Sequence, residues 1–80
     1  MTINCSVQDH YEISSRFRRS IEERIARLEE DADKDEAQIP CLDNPDHIRR
    51  QTRLVAVERA EALRMRLFLN RSRIRDVGEN

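Results

Sequence analysis

From Asn44 to Ile74 the chain reads as one long helix, with more apolar surface than a single partner helix could cover. Asn44-Pro45-Asp46 is a strong opening: Asn is a preferred N-cap, Pro suits the first helical position, and an acid there complements the helix dipole. After Pro45 no Gly or Pro interrupts the pattern before Gly78. At 100° per residue, Ala56, Ala60, Leu63, Leu67 and Ile74 share one face, with Asn70 as its polar member. A second row, Ile48, Val55, Ala62 and Leu69 at seven-residue spacing, lies to one side and is extended by Leu54, Met65 and Phe68. A helix with two apolar rows has one for its own chain and one for another molecule. The first row is assigned to the core and the second, together with His47 and Arg49, to a partner, while the sequence leaves open which of the two rows faces helix one.

The preceding half carries a single stripe. Ile13, Phe17, Ile21, Ile25, Leu28 and Ala32 fall within about 120° on a helical projection, and the opposite face is charged. Capping-box spacing at Ser6 and Asp9, or Asp9 and Glu12, predicts a start between residues 7 and 10. The expected plan is helix one over about 8–36, a loop at 37–43, helix two over about 45–75 and a loose tail at 76–80, with no strand.

Charge patterning indicates how the two helices meet. Helix one ends in Glu29, Glu30, Asp31, Asp33, Asp35 and Glu36, the wrong sign for the negative end of a helix dipole, whereas helix two begins with Arg49, Arg50 and Arg53. Each is poorly placed alone, and a fold back through Pro40 lets the two ends compensate. The fold class that follows is all-α: an antiparallel two-helix hairpin in one domain, open to pairing into a four-helix bundle.

Eighty residues form one domain, but chains of this length bury only about 60% of their unfolded surface and often need a staple or an oligomer. A disulfide is not the staple. Cys5 and Cys41 would flank helix one, about 40 Å apart, far beyond bonding reach, which suits a reducing cytoplasm. The first residues lack the basic and apolar regions of a signal peptide, and no run is apolar enough to span a membrane.

Catalytic chemistry finds little support. His10 and His47 have no companions in a metal-ligand pattern, and Cys41 with His47 would need two further ligands to hold zinc. No local motif activates Cys41 as a nucleophile, and no acid/base pair or phosphate loop is present. The expectation is a non-enzyme without metal or cofactor.

Binding is a stronger reading. Arg49, Arg53, Arg64 and Arg71 lie within about 60° of one another and could track phosphates, so a helical hairpin gripping RNA, as the plasmid regulator Rop does, is the alternative. Against it stand a net charge of -1 and only Tyr11, Phe17 and Phe68 as aromatics. Protein binding accounts better for surplus apolar surface, and a homodimer could consume part of it.

The segment Cys41-Leu-Asp-Asn-Pro45-Asp-His47-Ile48-Arg49, opening the second long helix, resembles the TraM antiactivators of quorum-controlled conjugation in Rhizobiaceae, where a Cys and a Pro also precede His-Ile-Arg. Three residues separate Cys41 from Pro45 here, against two in the family pattern. The rhizobial antiactivator QseM belongs to the same functional class and size range. The resemblance implies a small helical protein that binds a LuxR-type regulator such as TraR and blocks transcriptional activation without catalysis. Carried over residue by residue, it places His47, Ile48 and Arg49 on the partner surface and gives Pro45 the role of fixing the helix start.

Overall fold

Ser14 sets the start of the first helix. Its backbone is extended, at φ -76° and ψ 160°, and its side chain accepts a 3.0 Å hydrogen bond from the Phe17 amide, satisfying one of the donors that a helix start leaves open. In the computed structural model, which describes residues 11–75, α1 accordingly spans Ser15–Gln38. The start expected at residues 7 to 10 is therefore corrected: Tyr11–Ile13 is an extended strand, β1. Ser6, Asp9, Cys5 and His10 lie outside the described residues.

Past α1, the chain makes one tight turn at Ile39–Cys41, where Pro40 cannot supply the amide that a continuing α-helix needs. Asn44 then caps the second helix as its sequence indicates, its side-chain oxygen accepting from the Asp46 amide at 2.8 Å, and α2 spans Pro45–Asn70. It ends earlier than its apolar pattern suggests. The Arg71 amide turns back to the carbonyls of Leu67 and Phe68, and the Ser72 hydroxyl donates to Phe68 O at 2.6 Å.

The residues beyond form a second strand, β2, at Ser72–Ile74, parallel to β1 with Tyr11 opposite Ser72, Glu12 opposite Arg73 and Ile13 opposite Ile74. Tyr11 N donates to Arg71 O at 3.0 Å and Arg75 N to Ile13 O at 2.8 Å, tying the two ends of the helical pair together. The expectation of no strand is thus corrected, as is the place of Ile74 on a helical seam. Three residues per strand are too few to display an alternation that sequence reading could detect. The molecule is nevertheless mostly helical, built on two long helices.

The two helices pack against each other through a seven-residue row on each. Ile25 and Ala32 of α1 and Val55, Ala62 and Leu69 of α2 are buried, and Ile48 is half-buried. Ile13 of β1 joins Ile25, Ala62 and Leu69 in the core, with Ile21, Leu28, Met65 and Phe68 packed around it. Ala32 and Ala62 allow the backbones to come close. This reverses the expected division of α2. Its inward row is Ile48, Val55, Ala62 and Leu69, while Ala56, Ala60, Leu63 and Leu67, expected in the core, are exposed, as is Ile74.

Ion pairs accompany that row. Arg66 holds Glu29 through three hydrogen bonds of 2.7–3.0 Å, and Arg59 reaches both Asp33 at 3.1 Å and Glu36 at 2.6 Å. Each Arg follows an inward residue by four positions, Arg59 after Val55 and Arg66 after Ala62. On α1, Glu29 and Glu36 follow Ile25 and Ala32 by the same step, so turning either row inward aligns opposite charges along the groove. The acidic end of α1 is compensated by Arg59 and Arg66, not by the expected Arg49, Arg50 and Arg53. Arg49 instead pairs with Asp46 of its own helix at 2.6 Å.

Candidate functional site

The backbone spans only 11 Å in its thinnest direction. Two stacked helix layers need about 8–10 Å between axes plus the radius of each helix, so α1 and α2 form a single layer. Folded domains ordinarily bury their apolar faces between at least two layers.

Among the described residues, two apolar surfaces remain open. One lies over the groove between the helices. There Phe17, 46% exposed, meets Phe68 edge to face at 6.4 Å, and Tyr11 stacks on Phe68 at 5.2 Å. Half-buried Ile21, Leu28 and Met65 continue this surface, and exposed Leu54 falls on the same side of α2 by projection.

The other surface is a seam along the outer side of α2. Ala56, Ala60, Leu63 and Leu67 follow one another in steps of four, three and four, the spacing by which helices interlock side chains, and Leu63 and Leu67 are 56% and 49% exposed. Cations border it on both sides. Arg59 and Arg66 lie on the edge nearest α1, where the acids described above hold them, and Arg53, Arg64 and Arg71 lie on the far edge. Arg64 pairs with Glu61. Among the described residues Arg53 and Arg71 take part in none of the ion pairs.

Toward the turn the groove becomes polar. Gln51 Nε2 donates to the Asp35 carbonyl at 2.9 Å, and the Glu58 carboxyl is hydrogen-bonded to that of Asp35. Burial, followed by this hydrogen bond and by repulsion from Asp35 and Asp31, raises the Glu58 pKa above the ordinary carboxylate value, against the pull of Arg59. Glu58 Oε1 is shielded from solvent and has no hydrogen-bond partner. Arg59 is pushed the other way in charge terms: its hydrogen bonds to Glu36 and Asp33 raise its pKa and hold it cationic.

The residues assigned to a partner from the sequence separate into two groups. Val55, Ala62 and Leu69 are buried against α1 and Ile48 is half-buried, so they belong to the chain's own core. Leu54, His47 and Arg49 are exposed, while Met65 and Phe68 are half-buried at the aromatic surface. Of the residues assigned to the core, Ile13 and Ile25 are buried, Ile21 and Leu28 half-buried and Phe17 exposed. The Asp35, Glu58 and Gln51 layer was not expected. Its signal is a polar residue three positions after each of Ala32, Val55 and Ile48.

Cys41 is exposed and unpaired. Among the described residues, no group of three or more His, Cys, Asp or Glu is arranged to hold a metal ion, and no helix is long and apolar enough to cross a membrane. No protein-family model matches the chain, and no curated protein or solved structure is significantly similar to it.

Proposed function

We propose that this chain is a non-enzymatic, cytoplasmic antiactivator that binds a LuxR/TraR-type transcriptional activator through a helical surface and so represses conjugative transfer. It works as an antiparallel hairpin, two of which pair over the Phe17 and Phe68 surface into a four-helix bundle, leaving the outer seam of α2 for the activator. The order of cross-helix pairs, with Glu29 on Arg66 and Asp33 and Glu36 on Arg59, supports the hairpin. The observation that carries the binding role is the open Leu63 and Leu67 seam on a one-layer molecule. Exposed apolar surface of this kind normally marks association. The TraM-like segment adds support, since His47 and Arg49 are exposed where α2 begins.

The direct test is a gel shift with a purified LuxR/TraR-type activator on its operator DNA. Adding the chain should release the DNA, and the Leu63→Glu/Leu67→Glu variant should not. An activator that keeps its DNA at a large excess of the chain, while the chain itself shifts an RNA hairpin, would replace this reading with the Rop-like one.

A further inference from the structure

We infer that the α2 seam is a docking surface for an amphipathic partner helix whose apolar row is bordered by Glu and Asp. The inference rests on the antiactivator reading in taking the partner to be a protein, and it adds the chemistry by which that partner is recognised. The apolar positions of the seam call for a helix, because steps of four, three and four match the rows of another helix over about three turns. The bordering residues determine its charge. Arg53, Arg64 and Arg71 lie on one edge, Arg59 and Arg66 on the other, and no acid stands on the seam itself. Arg53 and Arg71 make no ion pair among the described residues and can accept a carboxylate from outside.

The same borders argue against a second copy of this chain as the occupant. A second α2 would bring Arg against Arg along both edges, and like charges across an interface discriminate against the wrong partner. A second α1 carries the acids, but its apolar row is already turned onto its own α2 and its outer face, through Arg16, Arg19, Glu23, Arg27 and Glu30, has no apolar stripe to offer. Nucleic acid would engage the Arg rows and leave Leu63 and Leu67 without apolar partners.

The test uses the full chain and two designed three-heptad peptides with Leu at the interlocking positions, one bordered by Glu and the other by Lys. Fluorescence anisotropy should give at least about tenfold tighter binding of the Glu peptide at low salt, with the gap narrowing as salt screens the borders. Arg53→Glu/Arg71→Glu should reduce or reverse the preference. Leu63→Asn/Leu67→Asn should abolish binding of both peptides while leaving the helical circular dichroism unchanged, as expected for exposed positions. Equal affinity for the two peptides, binding of neither, or displacement of the Glu peptide by an RNA hairpin would each overturn the inference. The gel shift separates the two ideas. Release of DNA by a chain that ignores the Glu peptide removes only the acidic-helix inference, and Glu-peptide binding by a chain that never releases DNA removes only the antiactivator reading.

Discussion

Leu69→Ala and Leu63→Ala make the same chemical change on the two apolar rows of α2, and their difference measures which row is inside. Leu69 is 6% exposed and packs with Ile13, Ile25 and Ala62, so truncation removes three buried carbons. At about 0.8 kcal/mol for each that is about 2.4 kcal/mol, and the cavity left behind brings the loss to about 3 kcal/mol. Leu63 is 56% exposed, and truncation there should change stability by no more than about 1 kcal/mol. A domain of this size has only about 4–12 kcal/mol of net stability. With a urea slope near 1 kcal/mol/M, Leu69→Ala should lower the unfolding midpoint by about 3 M. Urea titrations followed by helical circular dichroism, at one fixed protein concentration so that association does not differ between samples, give both values. If Leu63→Ala proves as destabilising as Leu69→Ala, the inward row is misassigned and the docking argument falls with it.

Glu58→Gln should raise the melting temperature at neutral pH. Its folded pKa lies above the ordinary value of 4.5, so ionisation in the folded state costs stability. The advantage of Gln should be absent near pH 3, where folded and unfolded states are both protonated, grow as pH rises through 4.5, and level off above the raised pKa; a difference independent of pH refutes it. Ser14→Ala removes the cap of α1 and should cost about 1 kcal/mol in the same titration. A double-mutant cycle on Glu29 and Arg66, whose side chains are partly exposed, should give a coupling below about 1 kcal/mol that fades in high salt.

Much of the fold is legible in the residues alone. Asn44-Pro45 marks the start of α2 to the residue and Pro40 marks the break between two long helices. The start of α1 is not legible from spacing, because Ser6 and Asp9 carry an acid three residues on and Ser14, which carries Phe17 there, does not. Ser14 is the one whose side chain binds the Phe17 amide, while Ile13, just before it, enters the core from a strand. That strand exists only because β2 lies alongside it, a tertiary condition that three residues do not advertise.

The misassigned row has a physical cause. Apolar content separates the two rows poorly: the heptad of Val55 and Ala62 carries Gln51 and Glu58 at positions that should be apolar, and that of Ala56 and Leu63 carries Arg49, Arg53 and Asn70. Hydrophobicity alone therefore does not decide which face turns inward. With the Val55 and Ala62 row inward, Arg59 and Arg66 meet the acids of α1 and supply a further contribution to that choice. Individually such exposed pairs add little stability, but they separate two nearly equivalent helix rotations, and their sum needs only to exceed the small difference between two apolar rows. The consequence for function follows directly. Seating the Val55 and Ala62 row against α1 leaves Leu63 and Leu67 facing outward between lines of Arg, and that outward face is the one proposed to meet a partner.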